Sequence, residues 1–505
     1  MTDNKPQSSK QAPPRPETAP DTSRLIETRR QKAADLREKG INPYPYRYER
    51  THTVESALAD FDTLSESSTN IHVAGRITLK RDMGKSIFAD LRDQSGKLQL
   101  YVKIDNVGED AFRIFEKLDI GDIVGAGGTL FVTRKGEKTL QVSDYEILCK
   151  ALHPLPDKHA GLTDVETRYR QRYVDLIMSP EVRDVFVMRT KIVQAARDFL
   201  NGKDFLEVET PILQPIYGGA AARPFKTHHN TLDTDLYLRV ADELYLKRLI
   251  VGGFERVWEY CKDFRNEGMS RTHNPEFSMI ELYWAYADYF DMMNLAEQMY
   301  RSIAHAVHNS YMCSYGEIDL DFEPPFERMT MIGSVAERAG VDLSDMSYDE
   351  ALAEAKRRDF ETDDLYCWGK VVEAFFERYD EPTLKQPAFV MDFPREISPL
   401  AKVHRENQRL SERFEVFLAG MECGNAFSEL NDPDDQRDRL LAQVEAAKAG
   451  DPEAPNTYDA DYVTALQYGM PPTSGFGFGV DRLVMILTNQ PSIRDVLLFP
   501  QLRPE

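Results

Sequence analysis

From Trp258 to Tyr286 two strand-like runs flank a polar loop, Asn266-Glu267-Gly268-Met269-Ser270-Arg271-Thr272-His273-Asn274-Pro275. Side chains on a strand alternate between its two faces. In the second run Ile280, Leu282 and Trp284 therefore share one face, and Phe277, Met279, Glu281 and Tyr283 the other. The first face belongs in a core. The second sets a carboxylate among aromatic rings, which is costly unless a cation meets it. Arg265 on the neighbouring strand is one source of that cation, through an ordinary salt bridge, and a bound ligand is the other.

Residues 414–430 repeat the pattern. A turn at Ala419-Gly420 folds Phe414–Leu418 back on Met421–Leu430, which puts Phe417 opposite Glu422 and Glu415 diagonal to Glu422 on the same face. Diagonal positions lie about 7–8 Å apart at the backbone. Two carboxylates that close make each other harder to ionise. A divalent ion relieves this, and Mg2+ favours one or two carboxylates together with substrate phosphates. The structural alternative turns one Glu outward at a bulge. Further on, Gly475-Phe476-Gly477-Phe478-Gly479 strips side chains from one strand face, so that a flat ligand can lie on backbone. Val480-Asp481-Arg482 follows, ending in an Arg able to stack on a ring or pair with a phosphate. The segment is neither a Walker A loop nor a Rossmann fingerprint.

The surrounding chain has 505 residues, with 62 Lys+Arg against 84 Asp+Glu and a net charge of −22. That balance by itself suggests a partner other than nucleic acid, but binding depends on where basic groups cluster. The first fifty residues lean basic, with Arg24, Arg29, Arg30, Lys32, Arg37 and Lys39 among them. Length predicts about two to four domains. No run approaches about 18 apolar residues, and the polar, Pro-rich start has no apolar stretch of the secretory kind. The expectation is a soluble cytoplasmic protein that does not enter a membrane. Cys149, Cys261, Cys313, Cys367 and Cys423 are far apart and form no CxxC, which argues against a disulfide framework and against a zinc site.

Residues 1–22 are rich in Ser, Pro and Thr and are expected to be disordered. Residues 23–150 combine a mostly solvated helix, stopped by Gly40 and Pro43, with a barrel. The barrel is read from five apolar runs, His72–Thr78, Ile87–Arg92, Leu98–Lys103, Ile123–Thr133 and Leu140–Leu148, with a helical stretch Glu109–Leu118 before the fourth. That order matches an OB-type barrel. Taking Ser95-Gly96 as a two-residue hairpin loop pairs Arg92 with Gln99 and Phe88 with Lys103. Phe88, Asp90 and Arg92 then share a polar face with Gln99, Tyr101 and Lys103, opposite a core face of Ile87, Ala89, Leu91, Leu98, Leu100 and Val102. Such aromatics suit stacking on unpaired bases or packing under a neighbouring element, and the residues alone leave both open. Residues 151–178 read as a linker and 179–505 as a larger α+β unit. It begins with a helix that Ser179-Pro180-Glu181 starts and Gly202 ends, followed by a short strand over Phe205–Thr210.

In this order the motifs resemble the class II aminoacyl-tRNA synthetases, and among them the bacterial-type lysyl-tRNA synthetases (class IIb, with an N-terminal OB anticodon-binding domain). Glu207-Val208-Glu209-Thr210-Pro211 resembles motif 1, Phe264-Arg265-Asn266-Glu267 through Phe277 motif 2, and Gly475–Arg482 motif 3. Gly218–Phe225, Glu243-Leu244-Tyr245-Leu246-Lys247-Arg248 and Asn425–Asp432 are more specific still, and the resemblance runs from about residue 22 to the C-terminus. It implies an OB barrel followed by an antiparallel sheet flanked by helices. It also implies activation of L-lysine with ATP and Mg2+, transfer to the 3′ end of tRNA(Lys), and a homodimer built on the motif 1 helix.

Residue by residue, the resemblance implies that Arg265 binds the α-phosphate and the lysine carboxylate, Glu267 and Asn274 the nucleotide, and His273 the outer phosphates. Phe277 and Arg482 would sandwich the adenine, with Arg265 and Arg482 as the catalytic pair, and Glu415 and Glu422 would hold Mg2+. Gly219 and Glu243 would meet the α-amino group, Glu281, Tyr283 and Glu429 the ε-ammonium, and Asn425 would lie near the carboxylate. Phe88 and Gln99 match anticodon-contacting positions. A pocket with several acids and no nearby Lys suits a cationic side chain. No protein nucleophile is required, so Cys261 and Cys423 read as packing residues. Asp242 stands where the family usually has Pro; it either faces solvent or alters the pocket.

A sister synthetase for Asp or Asn would share both domain types but would want Arg or Lys where Glu281 and Glu429 stand. A non-charging RNA-binding or regulatory paralogue would have no need of all three motifs with their charges. A relative that lysylates protein would lack the OB domain, and one that lysylates lipid would carry membrane spans.

Overall fold

The computed structural model describes residues 22–156, 162, 164–448 and 458–504, and the chain divides into two compact units, 1–161 and 162–505. The disorder expected of residues 1–22 falls outside the described residues except at Thr22, which opens a helix, and most of the insertion at 451–458 lies outside them too.

In the first unit β1 (Ile71–Asp82), β2 (Ser86–Arg92), β3 (Lys97–Lys103), β4 (Ile123–Val132) and β5 (Lys138–Cys149) close a barrel in the order β1-β2-β3-β5-β4. Only β3 and β5 run parallel. Alternation drives Ile87, Leu91, Leu98, Leu100 and Val102 inside, where Phe112 and Phe115 of the helix Glu109–Glu116 meet them. This is the OB arrangement. The helix Thr22–Glu38 buries only Ala33 and Leu36. It is tied down by charge: Lys32 and the buried Lys150 reach Asp119 at 2.7 and 2.6 Å, and Lys150 also pairs with Asp122 at 2.8 Å.

The β2–β3 hairpin keeps its expected faces but not its expected register. Arg92 pairs with Lys97, Asp90 with Gln99 and Phe88 with Tyr101. The loop has four residues, Asp93–Gly96, because the Asp93 carboxylate accepts bonds from Ser95 N, Ser95 Oγ and Gly96 N at 2.8, 2.7 and 3.0 Å. An Asx turn of this kind competes well with a two-residue turn. A shift of two residues leaves every side chain on its own face. Phe88 therefore lies directly against Tyr101, ring centroids 4.8 Å apart, and Phe131 of β4 meets Tyr101 edge-on at 5.9 Å. Gln99 beside them accepts a bond from Thr139 Oγ1 at 3.0 Å.

The second unit adds β6 (Leu206–Glu207), β7 (Leu213–Gln214), β8 (Lys226–His229), β9 (Thr234–Leu238), β10 (Arg256–Phe264), β11 (Glu276–Ala285), β12 (Met312–Tyr315), β13 (Ile318–Asp321), β14 (Glu327–Thr330), β15 (Ala388–Met391), β16 (Arg413–Leu418), β17 (Met421–Ser428) and β18 (Thr473–Gly479). Eight of these form one sheet in the order β14-β15-β16-β17-β18-β11-β10-β6, antiparallel except at its two outermost pairs. The helix Pro180–Asn201 has Pro at its start and Gly202 as its C-cap, although the Ser179 hydroxyl makes no capping bond. The short strand after it shrinks to β6. The helix Tyr289–His308 starts from a capping box between Asp288 and Asp291.

These two helices cover one face of the sheet. Ile280 and Leu282 of β11, Phe476 and Phe478 of β18 and Phe414 and Val416 of β16 pack there with Ile192, Met292, Met299, Tyr300 and Ile303. Burying the even residues of β11 and β18 leaves the odd ones no choice. Phe277, Met279, Glu281 and Tyr283 must face the other way, with Gly479, Gly477 and Gly475 directly opposite the last three. Among the described residues no helix is long and apolar enough to cross a membrane.

Candidate active site

Five neighbouring strands share the face on which the site lies. Across the face that those helices leave uncovered run Glu259, Cys261 and Asp263 of β10, the odd residues of β11, the three glycines of β18, Asn425 and Phe427 of β17, and Arg413 and Glu415 of β16, each in register with the next. A cavity of about 400 Å3 lies on this face, lined by Gly219, Glu243, Arg265, Glu267, His273, Asn274, Phe277, Glu281, Tyr283, Glu422, Asn425, Glu429 and Arg482. A second cavity of about 340 Å3 shares His273, Glu422 and Arg482 with the first and adds Glu415. Residues some 260 positions apart in the chain thus meet at one place. Phe88 and Gln99 belong to the other unit.

The glycines of β18 divide the first cavity. A Cβ on Gly475 would run into Glu429 Oε1 and the Tyr283 ring, and one on Gly477 into the Glu281 carboxylate. The space freed at these two positions is filled by the pocket's own side chains. At Gly479 the nearest side-chain atoms are those of Arg482, 4.0 Å away, so bare backbone remains there for a flat ring.

At the acidic end one of the two readings of Glu281 is excluded and one sequence expectation fails. Glu281 has no salt bridge to Arg265. Its cross-strand neighbour is Glu259, and the bond it accepts comes from Tyr283 OH at 3.4 Å. Arg265 lies just past the last β10–β11 pair, Phe264–Glu276, and its guanidinium covers the Phe277 ring at 5.1 Å with Nε buried and unpartnered. Nor does the pocket lack a lysine. Lys247 sits one turn along the helix Glu243–Val251 from Glu243, and its ammonium, fully buried, lies 2.5 Å from both Glu243 and Glu429. Burial alone would lower its pKa, but Glu243 and Glu429 outweigh that and hold it charged, well above the ordinary lysine value. The Glu-x-x-x-Lys spacing is the signal that could have found it.

Lys247 is fully committed to those two partners. Glu281 keeps none: burial, then Asp242, Glu243, Asp263 and Glu429, push its pKa far above the carboxylate range. Burial likewise raises Glu429 to about 8 despite Lys247. Arg239, which sequence reasoning missed, serves Glu259 at 2.7 Å and Asp263 at 3.3 Å. Asp242 does not face solvent. It is fully buried, and neither of its oxygens has a hydrogen-bond partner. Among the described residues, six carboxyl groups here (Asp242, Glu243, Glu259, Asp263, Glu281, Glu429) meet two buried cations, Arg239 and Lys247.

The opposite end is basic. Arg482 donates to the Glu422 carbonyl at 2.6 Å and lies 3.0 Å from His273 Nε2. It is aimed by its neighbour: Asp481 accepts from Ser278 N at 2.8 Å and pairs at 2.6 Å with Arg189 of the helix Pro180–Asn201. The loop carrying His273 closes through Ser270 N to the His273 carbonyl, 3.1 Å, and Glu267 accepts from Arg223 N at 3.3 Å. Asn274 donates to the Glu276 carbonyl at 2.6 Å. Burial and then Arg482 lower the His273 pKa, so the ring is neutral at pH 7.

Glu415 and Glu422 face the second cavity together. Phe417 does pair with Glu422, and the register slips between Val416 and Phe417, so that Cys423 occupies the bulge. Glu373, Glu377 and Glu381, unnoticed in the sequence, line the same cavity. Burial lifts Glu415 to about 8, although Arg413 at 2.6 Å opposes the shift. A cavity lined by carboxylates and free of thiols fits a hard divalent cation such as Mg2+.

Residues 164–503 match the family of class II tRNA synthetases (D, K and N), and residues 71–148 match the OB-fold nucleic acid binding domain. The chain is 52% identical over 481 residues to the lysine–tRNA ligase of Carboxydothermus hydrogenoformans, covering 95% of this chain and 98% of that one. It is 52% identical over 487 residues to that of Pelotomaculum thermopropionicum, covering 96% of each, and 49% identical over 484 residues to that of Bacillus subtilis, covering 95% and 97%.

The central role of Lys247 is open to test. Lys247→Met keeps the length of the side chain but leaves Glu243 and Glu429 buried without a cation, and removing one partner from such a cluster costs about 3–5 kcal/mol. Denaturant unfolding of the variant should show a loss of that order; a loss below about 1 kcal/mol, the scale of an exposed pair, would contradict it.

Proposed function

The chain belongs to the class II tRNA synthetases (D, K and N), and we propose on that premise that it is a lysine–tRNA ligase, joining L-lysine to the 3′ end of tRNA(Lys) at the expense of ATP. The observation that carries the choice of amino acid is Glu281, a carboxyl group facing the cavity with no cation opposite. A ligase for Asp would need a free cation in its place, and the lysine at this end of the cavity, Lys247, is held by two carboxylates.

In this reading the ε-ammonium of lysine lies against Glu281, Tyr283 and Glu429, and the α-amino group against Glu243 and Gly219. The carboxylate then points toward Asn425 and Arg265. ATP lies with its adenine between Phe277 and Arg482, over the bare backbone of Gly479. Glu267 and Asn274 hold the nucleotide, and His273 meets the outer phosphates. The lysine carboxylate attacks the α-phosphorus in line, the bond to the β-phosphate oxygen breaks, and pyrophosphate leaves. The lysyl-adenylate is then attacked at its carbonyl carbon by the terminal 3′ hydroxyl of the tRNA, and AMP leaves. Arg265 and Arg482 act by position and charge, and no side chain forms a covalent bond. Glu415 and Glu422 would hold a divalent cation, Mg2+ by the chemistry of the cavity, whose charge offsets that of the phosphates. The barrel face of Phe88, Gln99 and Tyr101 meets the unpaired anticodon bases. The molecule acts in the cytoplasm as a homodimer through the helix Pro180–Asn201.

Amino-acid-dependent exchange of pyrophosphate into ATP, run separately with each of the twenty amino acids, tests the proposal. Lysine alone should support exchange, and Arg265→Ala should abolish it in a folded protein. Exchange with Asp or Asn, or a fully active Arg265→Ala variant, would overturn it. Phe88→Ala should leave exchange untouched and weaken tRNA binding by about 1–3 kcal/mol, the worth of one stacked base. Unchanged tRNA affinity would refute the role given to that face.

A further inference from the structure

Asp242, Cys261 and Asp263 line neither cavity, and the reaction described above makes no use of them. Cys261 and Asp263 alternate on one face of β10, and Asp242 reaches them from the turn that opens the helix Glu243–Val251. One carboxylate oxygen of Asp242, the sulfur of Cys261 and one carboxylate oxygen of Asp263 all lie within 4.8 Å of one another. The three residues are 0, 3 and 1% exposed.

Their partners do not account for them. Neither oxygen of Asp242 has a hydrogen-bond partner. Asp263 has the Cys261 sulfur at 3.9 Å and a share of Arg239, which lies closer to Glu259. Of the other charged groups facing the cluster, Glu281 and Glu259 are acids and Arg265 acts on Asp263 from beyond the end of β10, so that no cation is left to Asp242 and Cys261 but the shared Arg239. Two adjacent carboxyl groups and a thiol, all out of water, need a cation or shared protons.

We propose that Asp242, Cys261 and Asp263 form a binding site for a divalent metal ion of the zinc type, separate from the Glu415–Glu422 pair. The thiol decides the class of ion: Mg2+ and Ca2+ take oxygen ligands, whereas Zn2+ and Co2+ accept thiolate and carboxylate together. On binding, the Cys261 thiol gives its proton to solvent, one metal–sulfur and two metal–oxygen bonds form, and no electron is transferred. Cysteines paired along the chain, the usual sign of a zinc site, are absent from this sequence. Here two donors come from alternate positions of one strand and the third from a different element. The ion would tie β10 to the turn bearing Glu243, holding the wall of the acidic pocket without touching substrate. The proposal stands on these three side chains and is independent of which amino acid the enzyme activates.

The test uses the full-length protein. Its zinc content as isolated from zinc-supplemented medium is measured first. Protein freed of metal is then titrated with Co2+ under excess Mg2+, which occupies the carboxylate cavity. The expected result is zinc bound at a single equivalent and, on titration, a near-ultraviolet thiolate-to-cobalt absorption that Zn2+ displaces. Cys261→Ser and Asp242→Pro should lose that absorption, and Cys423→Ser should keep it. Protein that carries no zinc and gives no thiolate band, or a band that survives Cys261→Ser, would overturn the proposal and leave shared protons as what holds the cluster. Where a variant fails to fold, the wild-type protein still decides: absence of the band overturns the proposal, and a band that is present must be accompanied by Co2+ protection of Cys261 from alkylation, read by peptide mapping, whereas protection of another cysteine in its place overturns it.

Discussion

An excess of buried carboxyl groups over buried cations shapes the catalytic unit. Removing a charge from water is tolerable only where an opposite charge or a proton meets it. On the uncovered face of the large sheet Lys247 meets Glu243 and Glu429, and Arg239 meets Glu259 and Asp263. Asp242 and Glu281 are left over, and of the two it is Glu281 that faces the cavity. The strands cannot turn it away, because Ile280 and Leu282 on either side of it are locked into the core beneath the two long helices. Gly475 and Gly477 are glycines because the Glu429 and Glu281 carboxylates occupy the volume where their Cβ atoms would stand. The deficit of positive charge is thus built into the sheet, and a cationic ligand completes it.

The same sheet places the opposite charge at the other end of the cavity. Asp481 closes the glycine strand and is gripped by Arg189 from the covering helix, which fixes Arg482 one residue later. Arg265 and His273 come from the loop that joins β10 and β11. In the proposed function this charge arrangement gives a zwitterionic amino acid with a cationic tail one favourable direction, tail toward Glu281 and carboxylate toward Arg265. Orientation of that kind converts an encounter between two bound reactants into a step within one complex, a large share of what an enzyme without a nucleophile can supply. The second cavity, with five Glu side chains, is a separate place, to which the proposed function assigns the outer phosphates and their counterion.

Alternation made the faces of both units legible from sequence, since a period of two survives any even error in register. The β2–β3 hairpin shows it: the pairing was wrong by two residues because Asp93 builds its own turn, yet Phe88 and Tyr101 still share a face. The roles of individual side chains were not legible from spacing; they came from resemblance to a family. What the sequence hid was the neutralisation. Lys247 belongs to a helix and Glu429 to the segment after a distant strand, and nothing local says that they meet. Arg239, in the approach to that helix, was invisible for the same reason, and Asp242 stood out only against the family's usual Pro, with its burial left open. A buried ion pair is a property of two elements at once, whereas a strand face is a property of one.

Calorimetric binding of L-lysine, set beside L-norleucine, tests most directly whether the uncompensated acid selects the substrate. Norleucine has the same chain with a methyl group in place of the ammonium, so apolar contacts and the α-amino and carboxylate interactions are kept. The account predicts that lysine binds and norleucine does not bind measurably, because it leaves Glu281 without its partner. Comparable affinity for the two would contradict it and would show that the pocket reads shape rather than charge.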